Sequence, residues 1–221
     1  MITSNFIHRT FRIRSAGSIG TAFTVDIDTR QYLVTARHVV EQIDAAHGIE
    51  VFGNNGWIPL PIKLVGHCSN EIDISVLAPR APLSPPGLPI RVSSDGLAYG
   101  QDLFFLGFLY HFLGNVSFTD NGYPLPFVKR ATFSCFADNR YLLDGHNNPG
   151  FSGGPVIFGV AGAVPTNVAA VISGYKFVPE AVYHQGNETE LTFKYNTGII
   201  VSYKIENALE LVRKNPIGAQ L

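Results

Sequence analysis

The sequence predicts an antiparallel all-β protein, a barrel or a sandwich, ending in a single clear helix. Three observations carry this reading. Short runs rich in Val, Ile, Phe and Thr recur with turn residues between them. Helical periodicity is sparse outside the C-terminal segment. No repeated β–α alternation exists, which argues against a parallel α/β sheet.

The elements follow in chain order. The opening "MITSNFIHRTFRIRS" has no long apolar core before its charges, so it does not read as a signal peptide. Strands are expected at "TAFTVDI", "QYLVTA", "IEVFG", "KLVGH" and "IDISVLA", with a short helix over "HVVEQIDAA". Composition then shifts in "APRAPLSPPGLPIRVSSDG". Its prolines cannot support a continuous ladder, so it reads as a connector. Beyond it, strands are expected at "DLFFLGF", "FVKRATFS", "PVIFGV", "VAAVISGY" and "TGIIVSY". The helix is "KIENALELVRKNP", where Ile205, Ala208, Leu209 and Val212 share one face and Pro216 closes the segment. Residues 1–80 and 95–221 are thus expected to form two halves, joined by the Pro-rich connector 81–94.

Composition narrows the function classes. With 221 residues the chain can bury a sizeable core, and charged residues are only 15% of it. A net charge of −1 without a basic cluster gives no reason to expect nucleic acid or an acidic membrane as partner. The apolar stretch before Tyr175 is cut by Pro165, Thr166 and Asn167, so it reads as a buried hairpin and not a membrane span. A cytoplasmic location is expected. Cys68 and Cys135 could form one disulfide, but without secretory context they read as buried thiols. His67 and Cys68 are adjacent, so on a strand they face opposite ways and make neither a dyad nor a metal site. Neither metal nor organic cofactor is expected.

The chemistry concentrates in "HNNPGFSGGPV", residues 146–156, where backbone breakers surround Ser152. Gly150–Gly154 matches G-x-S-x-G, the nucleophile elbow of α/β-hydrolases. Yet Pro155 and "VIFGV" after the serine look like a strand, and only His184 follows, in a polar stretch. The order Ser, Asp, His is not met, so an esterase of that type is disfavoured. A serine nucleophile needs an imidazole to take its proton and a carboxylate to orient that imidazole. Upstream, "YLVTARHVV" supplies His38 at a strand end. "NEIDISVLA" supplies Asp73 inside an apolar run, where an unpartnered carboxylate would be costly.

Taken together, "GTAF", "YLVTARHVV", "EIDISVLA" and "NNPGFSGGPV" resemble the trypsin-like serine proteases of the chymotrypsin fold, especially bacterial members of the Deg/HtrA type. The resemblance runs from about Gly20 to Tyr203 and has the family's His, Asp, Ser order. It implies two six-stranded antiparallel β-barrels with a C-terminal helix, the first carrying His38 and Asp73, the second Ser152. It implies a Ser152–His38–Asp73 triad acting on a polypeptide substrate through an acyl-enzyme. The backbone N–H groups of Gly150 and Ser152 would form the oxyanion hole. Ser173, Gly174 and Tyr175 would flank an extended substrate, with Ser173 supporting the aspartate.

Departures from the family matter too. Phe151 stands where secreted relatives carry the aspartate that pairs with a freed N-terminus, so activation by N-terminal cleavage is not expected. His146 holds the pocket-bottom position, where cleavage after Lys or Arg would want a carboxylate. No PDZ module is expected after the helix near Lys214, so targeting is expected from the domain or a partner. The alternative function is a catalytically weak or latent module of this fold, acting in protein binding or under a regulatory partner.

Overall fold

In this computed structural model the described residues are 2–43, 48–85, 87–110, 117–137, 139–159 and 166–221. They are mostly β, arranged as two curled antiparallel sheets of chymotrypsin-like fold.

The first sheet begins with β1 (Thr10–Ser15), β2 (Ser18–Ile27) and β3 (Arg30–Thr35). Their two turns use Ala16-Gly17 and Asp28-Thr29, and all four residues have positive φ. Two-residue turns of this sign match the twist of the strands they join, which pins the register at Ser15↔Ser18 and Ile27↔Arg30. The one-turn helix α2 (Arg37–Val40) follows β3 and is held down by buried Val39 and Val40. The expected extension to residue 46 runs into positions outside the described residues. β4 (Ile49–Gly53), β5 (Gly56–Leu60), β6 (Ile62–His67) and β7 (Ser75–Pro79) complete the order β5-β4-β1-β2-β3-β7-β6. A short α1 (Ser4–Ile7) precedes β1 and buries Phe6.

The second sheet contains β9 (Asp102–Gly107), β10 (Phe127–Ala137), β11 (Arg140–Asp144), β12 (Pro155–Phe158), β13 (Asn167–His184) and β14 (Asn187–Lys204). Because β12 pairs with both β9 and β13, these six strands close into a barrel. Each half also carries one two-residue addition. β8 (Arg91–Val92) runs parallel to the start of β13, and β15 (Ala219–Gln220) pairs with β3 of the first sheet. α3 (Glu206–Lys214) buries Ala208 and Val212 on a core that also holds Phe23, Val34 and Val76 of the first sheet and Leu106, Ile157 and Val171 of the second.

Several strands exceed their sequence signals. β1 lies in a segment the pattern leaves unassigned, although four of its first residues are buried. β13 and β14 run on past Tyr175 as a two-stranded ribbon to the Gln185-Gly186 turn, with Phe177, Leu191, Phe193 and Tyr195 exposed. The ribbon is solvated on both sides there, so no inward-facing alternation marks it. Pairing of Phe158 with Asn167 gives the expected hairpin, while Pro165, expected in its connection, lies outside the described residues.

Polar burial ties the connector down. Gln31 on β3 is fully buried, and its side-chain oxygen accepts from the N–H groups of Leu83 (2.6 Å) and Ser84 (3.0 Å). Its amide donates to Asp26 Oδ1 and the Ser84 carbonyl. Asp26 also pairs with buried Arg9, which donates to the Leu88 carbonyl. Gln31→Ala therefore strands two connector N–H groups and is expected to cost on the order of 3 kcal/mol of stability, measurable by urea unfolding.

Candidate active site

Three side chains from the two sheets meet here, and the hydroxyl of Ser152 joins them through a main-chain carbonyl. Asp73 lies two residues before β7, in a loop closed by the Cys68 N–H on the Ile74 carbonyl (2.9 Å). Ile74, fully buried beside it, draws the aspartate inward. Its carboxylate finds its donors there. The main-chain N–H of His38 donates to Oδ1 (2.9 Å), and His38 Nδ1 lies 2.7 Å from Oδ2. An ionised carboxylate only accepts, so Nδ1 carries the proton and Nε2 of the neutral ring keeps a free lone pair.

Ser173 reaches the same carboxylate from the second sheet, donating to Oδ2 at 2.6 Å. It sits where the β13–β14 register shifts between Ile172 and Gly174. A bulge of this kind re-aims a side chain out of the strand's alternation, here across to the other half. The carbonyl of Ser173 accepts from the Ser152 hydroxyl at 2.9 Å.

Ser152 stands in the loop between β11 and β12, whose path only glycine permits at two points. Gly150 (φ +100°) and Gly153 (φ +87°) lie in the left-handed region. A Cβ would fall 2.1 Å from the Phe108 carbonyl oxygen at Gly150, and 2.0 Å from that of Thr21 at Gly153. Gly153 N–H donates to the Ile172 carbonyl (2.7 Å), while the Ser152 carbonyl accepts from Thr21 N–H (2.8 Å). The N–H groups of Gly150 and Ser152 have no hydrogen-bond partner among the described residues. Two such donors beside a hydroxyl can receive developing negative charge. Between them Phe151 is 0% exposed, edge-on to Phe105 at 5.5 Å. An apolar anchor thus fixes the loop where a charged one was the alternative.

The loop before the serine is tied by polar contacts that sequence reasoning missed. Asn147, buried, donates to the Gly174 carbonyl (3.2 Å), and Asn196 donates to the Asn147 carbonyl (2.9 Å). Lys129 donates to the His146 carbonyl (2.5 Å) and to Asn148 Oδ1. Burial pushes the Lys129 pKa down. His146 itself is exposed, its ring against Asn148, so the buried position belongs to its neighbour Asn147. Nothing in "HNN" separates these two positions before the loop is folded. Gly174 and Tyr175 follow Ser173 along β13 and are half-buried. A cavity of about 390 Å³ is lined by Arg37, His38, Glu41, Asn70, Asp73 and Ser173.

Electrostatics poise the pair. The hydrogen bond to Asp73 raises the His38 pKa above the ordinary histidine value; burial opposes this, and the charges of Asp73 and Glu41 reinforce it. For Asp73, burial works upward, but its hydrogen bonds and the charge of His38 prevail and hold it below the usual carboxylate range. Each pKa moves toward the charged form, so the pair stabilises the fold between the two folded-state pKa values. That contribution fades as pH falls through the Asp73 value or rises through that of His38.

Other candidates fall away. His67 Nδ1 lies 2.6 Å from Ser75 Oγ, whereas the Cys68 thiol points to the Asn207 carbonyl. Burial pushes that thiol up to about 11, so it is not a nucleophile at neutral pH. Both cysteines are free. Among the described residues no cluster of three His, Cys, Asp or Glu could hold a metal, and no helix is long and apolar enough to cross a membrane.

Residues 20–164 match the family model described as the trypsin-like peptidase domain. The chain belongs to the trypsin-like peptidase family. No curated protein sequence matches it at a significant level. Among solved structures it is similar to the Rv3671c protease of M. tuberculosis H37Rv in its inactive form, with 18% identity, TM-score 0.58, and 96% of this chain and 91% of that one covered. It is similar to the HtrA-type protease AlgW with a tripeptide, at 20% identity and TM-score 0.61, covering 97% of this chain and 62% of AlgW. Deg5 is similar at 14% identity and TM-score 0.58, covering 94% and 88%. At these identities the likeness speaks for the fold.

In this trypsin-like peptidase an NMR titration of the His38 imidazole is expected to give a midpoint above the ordinary value of about 6.5. Asp73→Asn removes both the hydrogen-bonding carboxylate and its charge, so the midpoint falls below that of the wild type.

Proposed function

We propose that the protein is a serine endopeptidase that hydrolyses polypeptides through Ser152, His38 and Asp73. The observation that carries the reading is the continuous chain of contacts from His38 through the Asp73 carboxylate and Ser173 to the Ser152 hydroxyl. The cleft would lie between a half formed by residues 1–80 and one formed by 95–221.

An extended substrate would pair its backbone with Ser173–Tyr175, adding a strand at the edge of the cleft. Its N–H would compete for the Ser173 carbonyl and release the Ser152 hydroxyl to turn toward His38. As Ser152 Oγ bonds to the scissile carbonyl carbon, its proton passes to His38 Nε2. Negative charge on the carbonyl oxygen is received by the Gly150 and Ser152 N–H groups. Asp73 stays ionised, holds the Nδ1–H tautomer and stabilises the imidazolium. His38 then protonates the departing amine as the C–N bond breaks, leaving an acyl-Ser152. Water attacks that ester, giving a proton to His38, and Ser152 recovers its own as the acid leaves.

A second reading, a latent module that binds protein or awaits a regulatory partner, is favoured by one observation. The resting Ser152 hydroxyl is engaged with the Ser173 carbonyl and not with His38.

Fluorophosphonate labelling together with peptide hydrolysis separates the two. The endopeptidase labels at Ser152 and loses labelling in Ser152→Ala. His38→Ala is expected to lower kcat about as far as Ser152→Ala, on the order of 10⁶-fold, because the groups act as a unit. A folded wild type that neither labels nor hydrolyses favours the latent module. Near-normal turnover in His38→Ala rejects His38 as the base.

A further inference from the structure

The N-terminal half grips the serine loop through one buried hydroxyl. Thr21 on β2 is fully buried, and its Oγ1 donates to the Gly150 carbonyl at 2.8 Å. The same oxygen accepts from the Phe108 N–H at 3.2 Å. One hydroxyl therefore joins β2, the loop that carries Ser152, and the segment that leaves β9. Two residues past Phe108, the Tyr110 N–H donates to the Pro149 carbonyl at 3.0 Å. Arg12, also of the first sheet, holds the other face of that residue by donating to the Tyr110 carbonyl at 2.8 Å.

These bonds fix the two peptide planes that flank Gly150. A trans peptide sends its N–H opposite to its carbonyl, and among the described residues no peptide is cis. With the Pro149 carbonyl held by Tyr110, the Gly150 N–H must point the other way. With the Gly150 carbonyl held by Thr21, the next plane cannot rotate, and its Phe151 N–H turns back to the Asn148 carbonyl. Gly150 at φ +100° has no side chain of its own to resist a flip of either plane, and these bonds oppose one. Thr21 bears on both, on one directly and on the other through Phe108 and the segment leading to Tyr110, which Arg12 also holds.

We propose that Thr21 is a positioning residue whose hydroxyl latches the Gly150 N–H into the orientation that receives the reacting oxygen. This rests on the serine-peptidase reading above. The main-chain bond from Thr21 N–H to the Ser152 carbonyl is a separate contact, so the hydroxyl can be removed without it.

The test compares wild type with Thr21→Val, a near-isostere without the hydroxyl, and Thr21→Ser, which keeps it. Three quantities are read: kcat and KM on a peptide substrate, affinity for a peptide aldehyde that forms a tetrahedral adduct, and amide exchange at Phe108 and Tyr110. Thr21→Val is expected to lower kcat about 10- to 100-fold with KM within about twofold, and to weaken aldehyde binding in parallel. Exchange at both amides accelerates, and Thr21→Ser restores all three. Should the valine variant not fold, Thr21→Ala is read in the same way. Wild-type kcat and aldehyde affinity in a folded Thr21→Val protein overturn the latch, as does unchanged exchange. A wild type that neither hydrolyses nor labels rejects the peptidase reading instead, and the exchange data still decide the latch.

Discussion

A largely buried carboxylate must be satisfied, and the groups that satisfy Asp73 come from both halves of the molecule. His38 supplies two donors from the first sheet and Ser173 one from a bulge in the second. Leaving such a charge unpaired costs far more than a lost surface contact, so the requirement sets how the halves face each other. The shared apolar core brings the sheets together but has no direction of its own. Directed bonds at Asp73 give the cleft its register.

The serine loop obeys a second constraint, that of close backbone approach. Gly150 and Gly153 let it run within contact of Phe108 and Thr21, where any side chain would collide with a carbonyl. Freedom of rotation is what allows the path, and it is also what must then be suppressed. Phe151 does this by burial against Phe105, Lys129 by binding the His146 carbonyl, and the N-terminal half by holding the Gly150 and Ser152 carbonyls. Glycine-rich sequence thus ends as a rigid object because neighbours fill every direction in which it could turn.

Much of this was legible beforehand, and the gaps have physical causes. Apolar alternation marked the buried strands, and the helix face at Ala208 and Val212 was readable from its spacing. Strand β1 escaped because its arginines break the alternation, yet Arg12 is buried under the rings of Phe52 and Trp57. The outer ribbon of β13 and β14 escaped because strands wet on both sides carry no inward pattern. His38 and Asp73 stood out as polar groups in apolar surroundings. Thr21 and Asn147 did not, since a small polar residue in a strand or loop reveals its partner only when the other half arrives.

The bonds that unite the halves at the cleft join residues far apart in sequence: Ser173 and Asp73 are 100 positions apart, Thr21 and Gly150 129. His38 and Asp73 are separated by only 35. Synthesis therefore completes His38 and Asp73 long before the Ser173 that also holds the carboxylate, and Thr21 long before the Gly150 it binds. Until then the Asp73 carboxylate lacks one of its three donors. The geometry around Asp73 and Gly150 is thus completed only when the second sheet closes on the first.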